Sequence, residues 1–101
     1  MAGFVQIVEY DTSHIDEVRT LGDKFRDERQ AEGLAIEIRV TMAADRDRPN
    51  HYVTIAEFPS YEIAMQNSNR PETSEFAARL AELCDGPPTF KNLDVLTTMQ
   101  S

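Results

Sequence analysis

A run of short polar residues interrupts what otherwise has the pattern of one amphipathic helix over residues 60–83. The run is Asn-Ser-Asn-Arg-Pro, residues 67–71. Where a helix unwinds beside a cavity, freed backbone groups and amide side chains can face a ligand, and an arginine can neutralise an enolate or a carboxylate. Asn67 and Arg70 are therefore the candidate catalytic residues. The alternative is a purely structural turn, because the residue before Pro71 is disfavoured in the α conformation and asparagine side chains readily satisfy broken backbone hydrogen bonds.

Four further residues are candidate substrate-binding residues: His14, Met65, Asn69 and Phe76. His14 could act as a base near neutral pH, since the unperturbed pKa of histidine is about 6.5. Its position just before a predicted helix also fits a surface or capping role. Met65 and Phe76 fit equally well the apolar stripe that an amphipathic helix needs.

Metal and nucleophile chemistry have no recognisable motif in this sequence. The chain has two histidines and a single cysteine, with no H-x-x-x-H spacing, so neither a metal site nor a cofactor is expected. Cys84 lies within the apolar spacing of a helix and is interpreted as a buried, inert thiol. No nucleophile motif, glycine-rich phosphate loop or dinucleotide fingerprint is present.

The composition and charge exclude several classes of partner. A chain of 101 residues with 41% hydrophobic residues predicts one globular domain spanning residues 1–101. The net charge of −8 argues against nucleic acid and against an anionic lipid surface, both of which attract lysine and arginine clusters. No apolar run approaches the length of a membrane span, and the first residues lack the pattern of a signal peptide, so we expect a cytoplasmic protein.

The elements that must position the candidate residues alternate between two periodicities. Strand patterns and helix patterns follow one another in the order βαββαβ, with strands over residues 4–10, 34–42, 51–58 and 90–98, a helix over 15–31 closed by Gly33, and the interrupted helix over 60–83. This order predicts an α+β, ferredoxin-like fold in which both helices cover one side of a four-stranded antiparallel sheet.

Grouping the strand residues by alternation gives two sets, one for each side of the sheet. We expect the helices to cover the aliphatic set, which is Val5, Ile7, Ile36, Ile38, Val40, Val53, Ile55, Leu93 and Val95. The other set is rich in aromatic residues and contains Phe4, Gln6, Val8, Tyr10, Arg39, Tyr52, Thr54, Ala56, Phe58, Phe90, Asn92 and Leu96. An uncovered face with several aromatic rings exceeds what monomers usually expose. We therefore expect a homodimer through this face, with Gln6, Arg39, Thr54 and Asn92 forming hydrogen bonds across a two-fold contact.

The pattern resembles the dimeric α+β barrel superfamily, and within it the antibiotic biosynthesis monooxygenase (ABM) type domains. The resemblance rests on the βαββαβ order, on YVTIAEFPSYEIAM at residues 52–65 and on FKNLDVL at residues 90–96. The helix-opening pattern of the ABM group is matched by Ser60, Glu62 and Ala64. The resemblance implies a two-fold dimeric barrel with a cavity between the helices and the sheet of each protomer.

Activities known in such families include cofactor-free oxygenation of aromatic polyketides and oxidative haem degradation. These activities imply an Asn, Trp or Arg facing the cavity, and a helix histidine for haem. The chain has no tryptophan, and NSNRPETSEFAARL at residues 67–80 has no histidine. The resemblance therefore implies a cofactor-independent monooxygenase rather than a haem-degrading enzyme.

Two hypotheses follow from these observations. In the first, the chain is an enzyme acting on a small aromatic or apolar metabolite, with Asn67 and Arg70 facing a closed pocket of a few hundred Å³ and polarising a carbonyl or enolate oxygen. In the second, it is a non-catalytic dimeric barrel that binds a small molecule or has a stress-related role. The second hypothesis predicts a cavity filled by Met65, Phe76 and Leu80, with Asn67 and Arg70 in solvent.

Overall fold

A computed structural model describes residues 3–31 and 38–99 of the chain. The elements are β1 (Phe4–Asp11), α1 (Ile15–Ala31), β2 (Arg39–Ala44), β3 (His51–Phe58), α2 (Tyr61–Ser68), α3 (Pro71–Leu83) and β4 (Thr89–Asp94). The predicted ferredoxin-like order is confirmed, with the interrupted helix present as two helices, α2 and α3. The predicted cap at Gly33 and the predicted strand residues 34–37, including Ile36, lie outside the described residues.

The four strands form one antiparallel sheet in the order β2-β3-β1-β4. In the centre of the sheet, Gln6 of β1 pairs with Ala56 of β3 on one side and with Asn92 of β4 on the other. β4 is shorter than predicted and ends at Asp94, which pairs with Phe4 at the beginning of β1. Next to that pair, the Gly3 carbonyl accepts a hydrogen bond from the Val95 amide at 3.1 Å.

For β1, β3 and β4 the helices pack on the side of the sheet opposite to the predicted one, which corrects the face assignment of these three strands. Phe4 and Phe58 are buried against Ala64 of α2, and Tyr10 is buried against Val18 of α1 and against α3. Aromatic side chains remove more area from water than valine or isoleucine. Both alternating sets of β1 are apolar, so alternation could not choose between them, and the larger side chains lie under the helices.

The polar residues predicted to bond across a dimer are bonded within the chain. Gln6 Nε2 donates to Asn92 Oδ1 at 3.0 Å, and the hydroxyls of Tyr10 and Thr54 lie 2.9 Å apart. Cross-strand partners point to the same side of a sheet, so these residues share the helix-covered side with Phe4 and Tyr10. The predicted role of Gln6, Thr54 and Asn92 in a dimer contact is therefore wrong.

The uncovered side of the sheet, which we call the open face, is aliphatic at its centre and charged at its rim. Its central residues, Val5, Ile7, Val53, Ile55 and Leu93, had been predicted to lie under the helices. Three pairs lie around them: Arg39 with Glu57 at 3.7 Å, Lys91 with Glu9 at 3.4 Å, and His51 with Asp11 at 2.9 Å.

The edge strand β2, in contrast, keeps its predicted face assignment. Arg39 lies on the open face, opposite Glu57. Of the predicted aliphatic set, Ile38 packs against the buried cluster of Phe4, Phe58 and Ala64. Val40 pairs with Ala56 on the helix-covered side, although it is 61% exposed at the edge of the sheet.

A buried threonine ties the end of β1 to the end of α3. Thr12 Oγ1 donates to the Leu83 carbonyl at 2.5 Å and accepts from the His14 amide at 2.9 Å. The Asp85 amide adds a hydrogen bond to the Asp11 carbonyl at 2.7 Å. These bonds hold the end of α3 against the end of β1, close to the beginning of α1. The α2–α3 break instead contacts the last turn of α1.

Candidate functional site

The break between α2 and α3 satisfies much of its own backbone. The Asn69 amide donates to the Met65 carbonyl at 3.0 Å, and the Arg70 amide donates to the Asn67 carbonyl at 3.2 Å. Arg70 is extended, with φ −78° and ψ 136°, and precedes Pro71 at the first position of α3. The extended conformation before a proline and the proline in the first helical turn are both expected from local sterics. Local sequence therefore explains why the helix breaks at this position.

The side chain of Asn67 points inward at the end of α2 and is only 8% exposed. Its Oδ1 accepts a hydrogen bond from Nη1 of Arg29, in the last turn of α1. The amide oxygen accepts from Arg29, and the amide nitrogen, with its two hydrogens, is the donor group of this side chain. Asn67 does not itself line either of the two spaces described below. The bond also connects α1 to the break.

Arg29 stands among many charged residues of α1, but its side chain is half-buried and turned toward the helical layer. Its guanidinium carbon lies 5.4 Å from the centroid of the Phe25 ring, and the ring of Phe25 lies 4.8 Å from that of Phe76 on α3. Arg29 follows Phe25 by four residues, and residues at this spacing share one face of a helix. This spacing is the signal by which the sequence could have identified Arg29 as an inward-facing residue.

The side chain of Arg70 is 21% exposed and borders a small cavity together with Phe25. Its Nη2 is 3.3 Å from Glu72 Oε2. A cavity of about 10 Å³ beside it is lined by Phe25, Glu28, Arg29, Arg70 and Glu72. That volume is about the smallest that holds one water molecule, or one oxygen atom of a ligand. Two guanidinium groups thus border one small cavity.

A larger groove of about 150 Å³ opens next to this cavity. It lies between α1 and α3 rather than between the helices and the sheet. Its lining is Leu21, Lys24, Phe25, Glu28, Glu72, Glu75, Phe76 and Arg79. Phe25, Glu28 and Glu72 line both spaces, so the groove and the small cavity share part of their walls. A volume of this size matches one six-membered ring, and it is smaller than the roughly 300–1,000 Å³ of most ligand sites.

The structure brings some of the predicted site residues together and separates others. Phe76 lines the groove, and Arg70 lines the small cavity that shares its walls. Met65 packs against the Phe4 cluster, and Asn69 is exposed at the end of α2. His14 is exposed before α1, whose length places Ile15 about 21 Å from Arg29 along the helix axis. The described geometry therefore offers no common site for His14 and Asn67.

Tyr10 and Cys84, at the other end of the helical layer, have pKa values displaced by burial. Burial raises the pKa of the Tyr10 phenol, and the hydrogen bond with Thr54 partly opposes this shift. Burial also raises the pKa of the Cys84 thiol, with smaller contributions from the charges of Asp85 and Asp11. A raised pKa keeps the thiol protonated. Cys84 is half-buried at the C-cap of α3, so the prediction of a buried thiol within the helix is wrong in these two respects.

Neither a metal cluster nor a membrane helix is found in the described part of the chain. Across residues 3–31 and 38–99, no three His, Cys, Asp or Glu side chains are grouped to hold a metal ion. Over the same ranges no helix is long and apolar enough to cross a membrane.

Comparison with known proteins identifies the fold through solved structures. No protein-family model matches the sequence, and no curated protein matches it significantly. An asparagine-to-alanine variant of SnoaB, a cofactor-independent oxygenase from Streptomyces nogalater, superposes with a TM-score of 0.75 at 19% identity, covering 99% of this chain and 100% of that one.

Two further solved structures have a similar fold. A monooxygenase from the gene ActVA-Orf6 of Streptomyces coelicolor, in complex with nanaomycin D, gives a TM-score of 0.73 at 18% identity, covering 99% of this chain and 93% of that one. A third structure, described as an antibiotic biosynthesis monooxygenase, gives 0.70 at 16% identity, covering 93% of this chain and 99% of that one. Over nearly its full length, the chain has the fold of the ABM domains.

Proposed function

We propose that the chain is a cofactor-independent monooxygenase that acts on a small aromatic metabolite at the α2–α3 break. The observation that carries the proposal is the inward-facing Asn67, held by Arg29 and flanked by Arg70 beside the Phe25–Phe76 pair. The fold supports the proposal, because two structures that share it are described as a cofactor-independent oxygenase and a monooxygenase. The alternative of a non-catalytic barrel expected Asn67 and Arg70 in solvent, whereas Asn67 is buried and Arg70 mostly so.

The proposed chemistry uses electrons from the substrate itself. An activated CH₂ group next to an aromatic ring loses a proton to a carboxylate of the groove, and Glu28 and Glu72 are placed for this step because they line both spaces. The resulting enolate adds O₂ to give a peroxide anion, which takes the proton back from the carboxylic acid to form a hydroperoxide. Loss of the remaining C–H proton then breaks the O–O bond and releases water, so CH₂ and O₂ become C=O and H₂O.

The chain contributes charge stabilisation to this reaction. Negative charge develops on the enolate oxygen, and guanidinium and amide donors aimed at that oxygen lower the barrier. Arg29 and Arg70 supply the positive charge, and Asn67 supplies a neutral donor. Since both arginines are partly withdrawn from water, their attraction for an oxyanion is stronger than that of exposed arginines.

The test compares variants that keep the Arg29 contact. Asn67→Asp retains an oxygen acceptor for Arg29 but replaces the amide donor with a negative charge. We expect kcat for the oxidation of anthrone in air to fall about 100-fold or more, the usual loss for one oxyanion donor. Asn69→Asp, at an exposed position two residues away, is the matched control and keeps the wild-type rate. Equal rates for the two variants, or no oxidation by the wild type, would contradict the proposal.

We also propose that the protein is a homodimer through the open face. The support is the aliphatic centre of that face, where Val5, Ile7, Val53 and Ile55 lie without a helix above them. A second copy of the same sheet is the simplest cover, because a two-fold contact is self-complementary. The rim pairs of Arg39 with Glu57 and of Lys91 with Glu9 would surround the contact with charge.

A further inference from the structure

We infer that Asp85 is a site of spontaneous covalent modification, at which the peptide linkage to Gly86 changes from the α-carboxyl to the side-chain carboxyl of Asp85. The inference goes beyond the proposed function, because Asp85 follows the end of α3 and lines neither the groove nor the small cavity. Its structural consequence is a weaker contact between the end of α3 and the sheet.

Asp85 is the one aspartate of the chain that precedes a glycine. The modification begins when the amide nitrogen of the next residue reaches the side-chain carboxyl carbon, and a Cβ atom on that next residue hinders the approach. Gly86 has no Cβ atom and has wide backbone freedom. Both residues are exposed, and a Cβ atom added to Gly86 would meet nothing within 4 Å. The surroundings therefore leave room for ring closure.

The reaction needs no reactant other than water. The amide nitrogen of Gly86 attacks the carboxyl carbon of Asp85, the nitrogen loses its proton, and the carboxyl group loses its hydroxyl, so that water leaves and a succinimide ring forms. Water then opens the ring at either carbonyl. Opening at the side-chain carbonyl restores aspartate. Opening at the main-chain carbonyl breaks that carbon–nitrogen bond and gives isoaspartate, which is an isomer of the starting residue.

The isomerisation adds a carbon atom to the main chain at a point where the chain is held on both sides. On one side the Asp85 amide donates to the Asp11 carbonyl at 2.7 Å, and on the other side Thr89 begins β4, which pairs with β1. Residues 86–88 between these two anchors are a glycine and two prolines, and a proline ring fixes the φ angle. The added atom must therefore displace this short linker or shift β4 against β1.

The structure protects Asn67, which is the next candidate for this chemistry. Asparagine closes the same ring with loss of ammonia, and Asn67 precedes Ser68, a small residue. Asn67 is buried, its amide oxygen accepts a hydrogen bond from Arg29, and Ser68 belongs to α2. Because the helical backbone and this hydrogen bond hold the two groups in place, we expect ring closure at Asp85 and not at Asn67.

Ageing the full chain in ¹⁸O-labelled water at mildly acidic pH tests the inference. Ring opening introduces ¹⁸O from the solvent, and an isoaspartyl methyltransferase with S-adenosylmethionine labels only the isomerised residue. Peptide mass spectrometry should show both labels at Asp85, about tenfold or more above those at Asp47, an exposed aspartate that precedes an arginine. Equal labelling of the two aspartates, or no labelling of Asp85, would overturn the inference.

A glycine variant separates the chemistry from general damage to the chain. Gly86→Ala fits the open space around Gly86, and its methyl group should slow the isomerisation about tenfold or more. Aged wild-type protein should unfold at a lower urea concentration than fresh protein, whereas aged Gly86→Ala should unfold like its fresh form. Isomerisation of Gly86→Ala at the wild-type rate would overturn the assignment of the site. An isomerised wild type with unchanged unfolding would overturn its structural consequence.

Discussion

The buried amide oxygen of Asn67 accepts a hydrogen bond from the guanidinium of Arg29, and this bond joins the last turn of α1 to the last turn of α2. The two residues are 38 positions apart in the chain. The contact fixes the position of the α2–α3 break relative to α1, so the proposed site and the stability of the helical layer depend on the same pair.

Removing the guanidinium should therefore destabilise the fold. Arg29→Met keeps much of the side chain's apolar length but leaves the Asn67 oxygen without this donor. A buried polar atom that loses its partner costs about 1–3 kcal/mol, and we expect the free energy of unfolding in urea to fall by that amount. Arg26→Met on the same helix is the control, because Arg26 is 64% exposed. If Arg26→Met lowered the free energy of unfolding as much as Arg29→Met, the contact between Arg29 and Asn67 would not be a specific source of stability.

Two glycines should respond to alanine in opposite directions. A Cβ atom on Gly3 would lie 2.6 Å from the Pro59 carbonyl oxygen, where the backbone must shift, whereas a Cβ on Gly22 would meet nothing within 4 Å. Gly3→Ala should lower the unfolding free energy by about 1–3 kcal/mol, the usual cost of overpacking. Gly22→Ala in the middle of α1 should raise it by about 0.5–1 kcal/mol through helix propensity. Thermal and urea unfolding of both variants measure these changes, and a stabilised Gly3→Ala protein would contradict the described packing.

A charge at the centre of the open face should separate the proposed dimer. Ile7 lies on the central strand β1, opposite Ile55 on β3. Ile7→Lys would place two ammonium groups in the two-fold contact, and we expect a monomer by sedimentation velocity at micromolar concentration while the wild type sediments as a dimer. Thr20→Lys on the exposed surface of α1 is the control and should remain dimeric. A wild-type protein that sediments as a monomer would refute the dimer.

The raised pKa values predict a loss of stability in alkaline solution. Burial raises the pKa of Cys84 and of Tyr10, so the folded protein retains protons that the unfolded chain loses. The stabilising effect is complete below the pKa values of the unfolded chain and is lost as pH rises through the folded values. The unfolding free energy should therefore fall above about pH 9, the region where thiols and then phenols ionise. Cys84→Ala should show a smaller fall between pH 8 and pH 10 than the wild type, and an identical slope would contradict the Cys84 contribution.

The sequence predicted the elements well wherever one local pattern dominated. Helix α1 has the predicted limits because apolar residues such as Val18 and Phe25 recur at helical spacing, and β3 has them because a polar loop precedes it and Pro59 follows it. The end of β4 was predicted less well, because it depends on where its partner β1 begins. Pairing between two strands that are far apart in the chain cannot be predicted from the local sequence of one strand.

The orientation of the sheet and part of the site could not be predicted for physical reasons. β1 is apolar on both sides, and the choice between Phe4 with Tyr10 and Val5 with Ile7 depends on the total area that the helices bury. Asn67 and Arg70 are proposed as site residues because of a local interruption of the helical pattern. Arg29 is one charged residue among many on α1, and its role depends on a contact with a residue far away in sequence.

Measuring oxygen uptake is the decisive test of whether the chain is a cofactor-independent monooxygenase. Wild-type protein that has been treated with a metal chelator and freed of small molecules is mixed with anthrone in air-saturated buffer, and dissolved O₂ and product are followed together. We expect a catalytic rate proportional to protein concentration, with one O₂ consumed for each anthrone converted to its ketone. Uptake no faster than in buffer alone, or activity that disappears with the chelator, would contradict it.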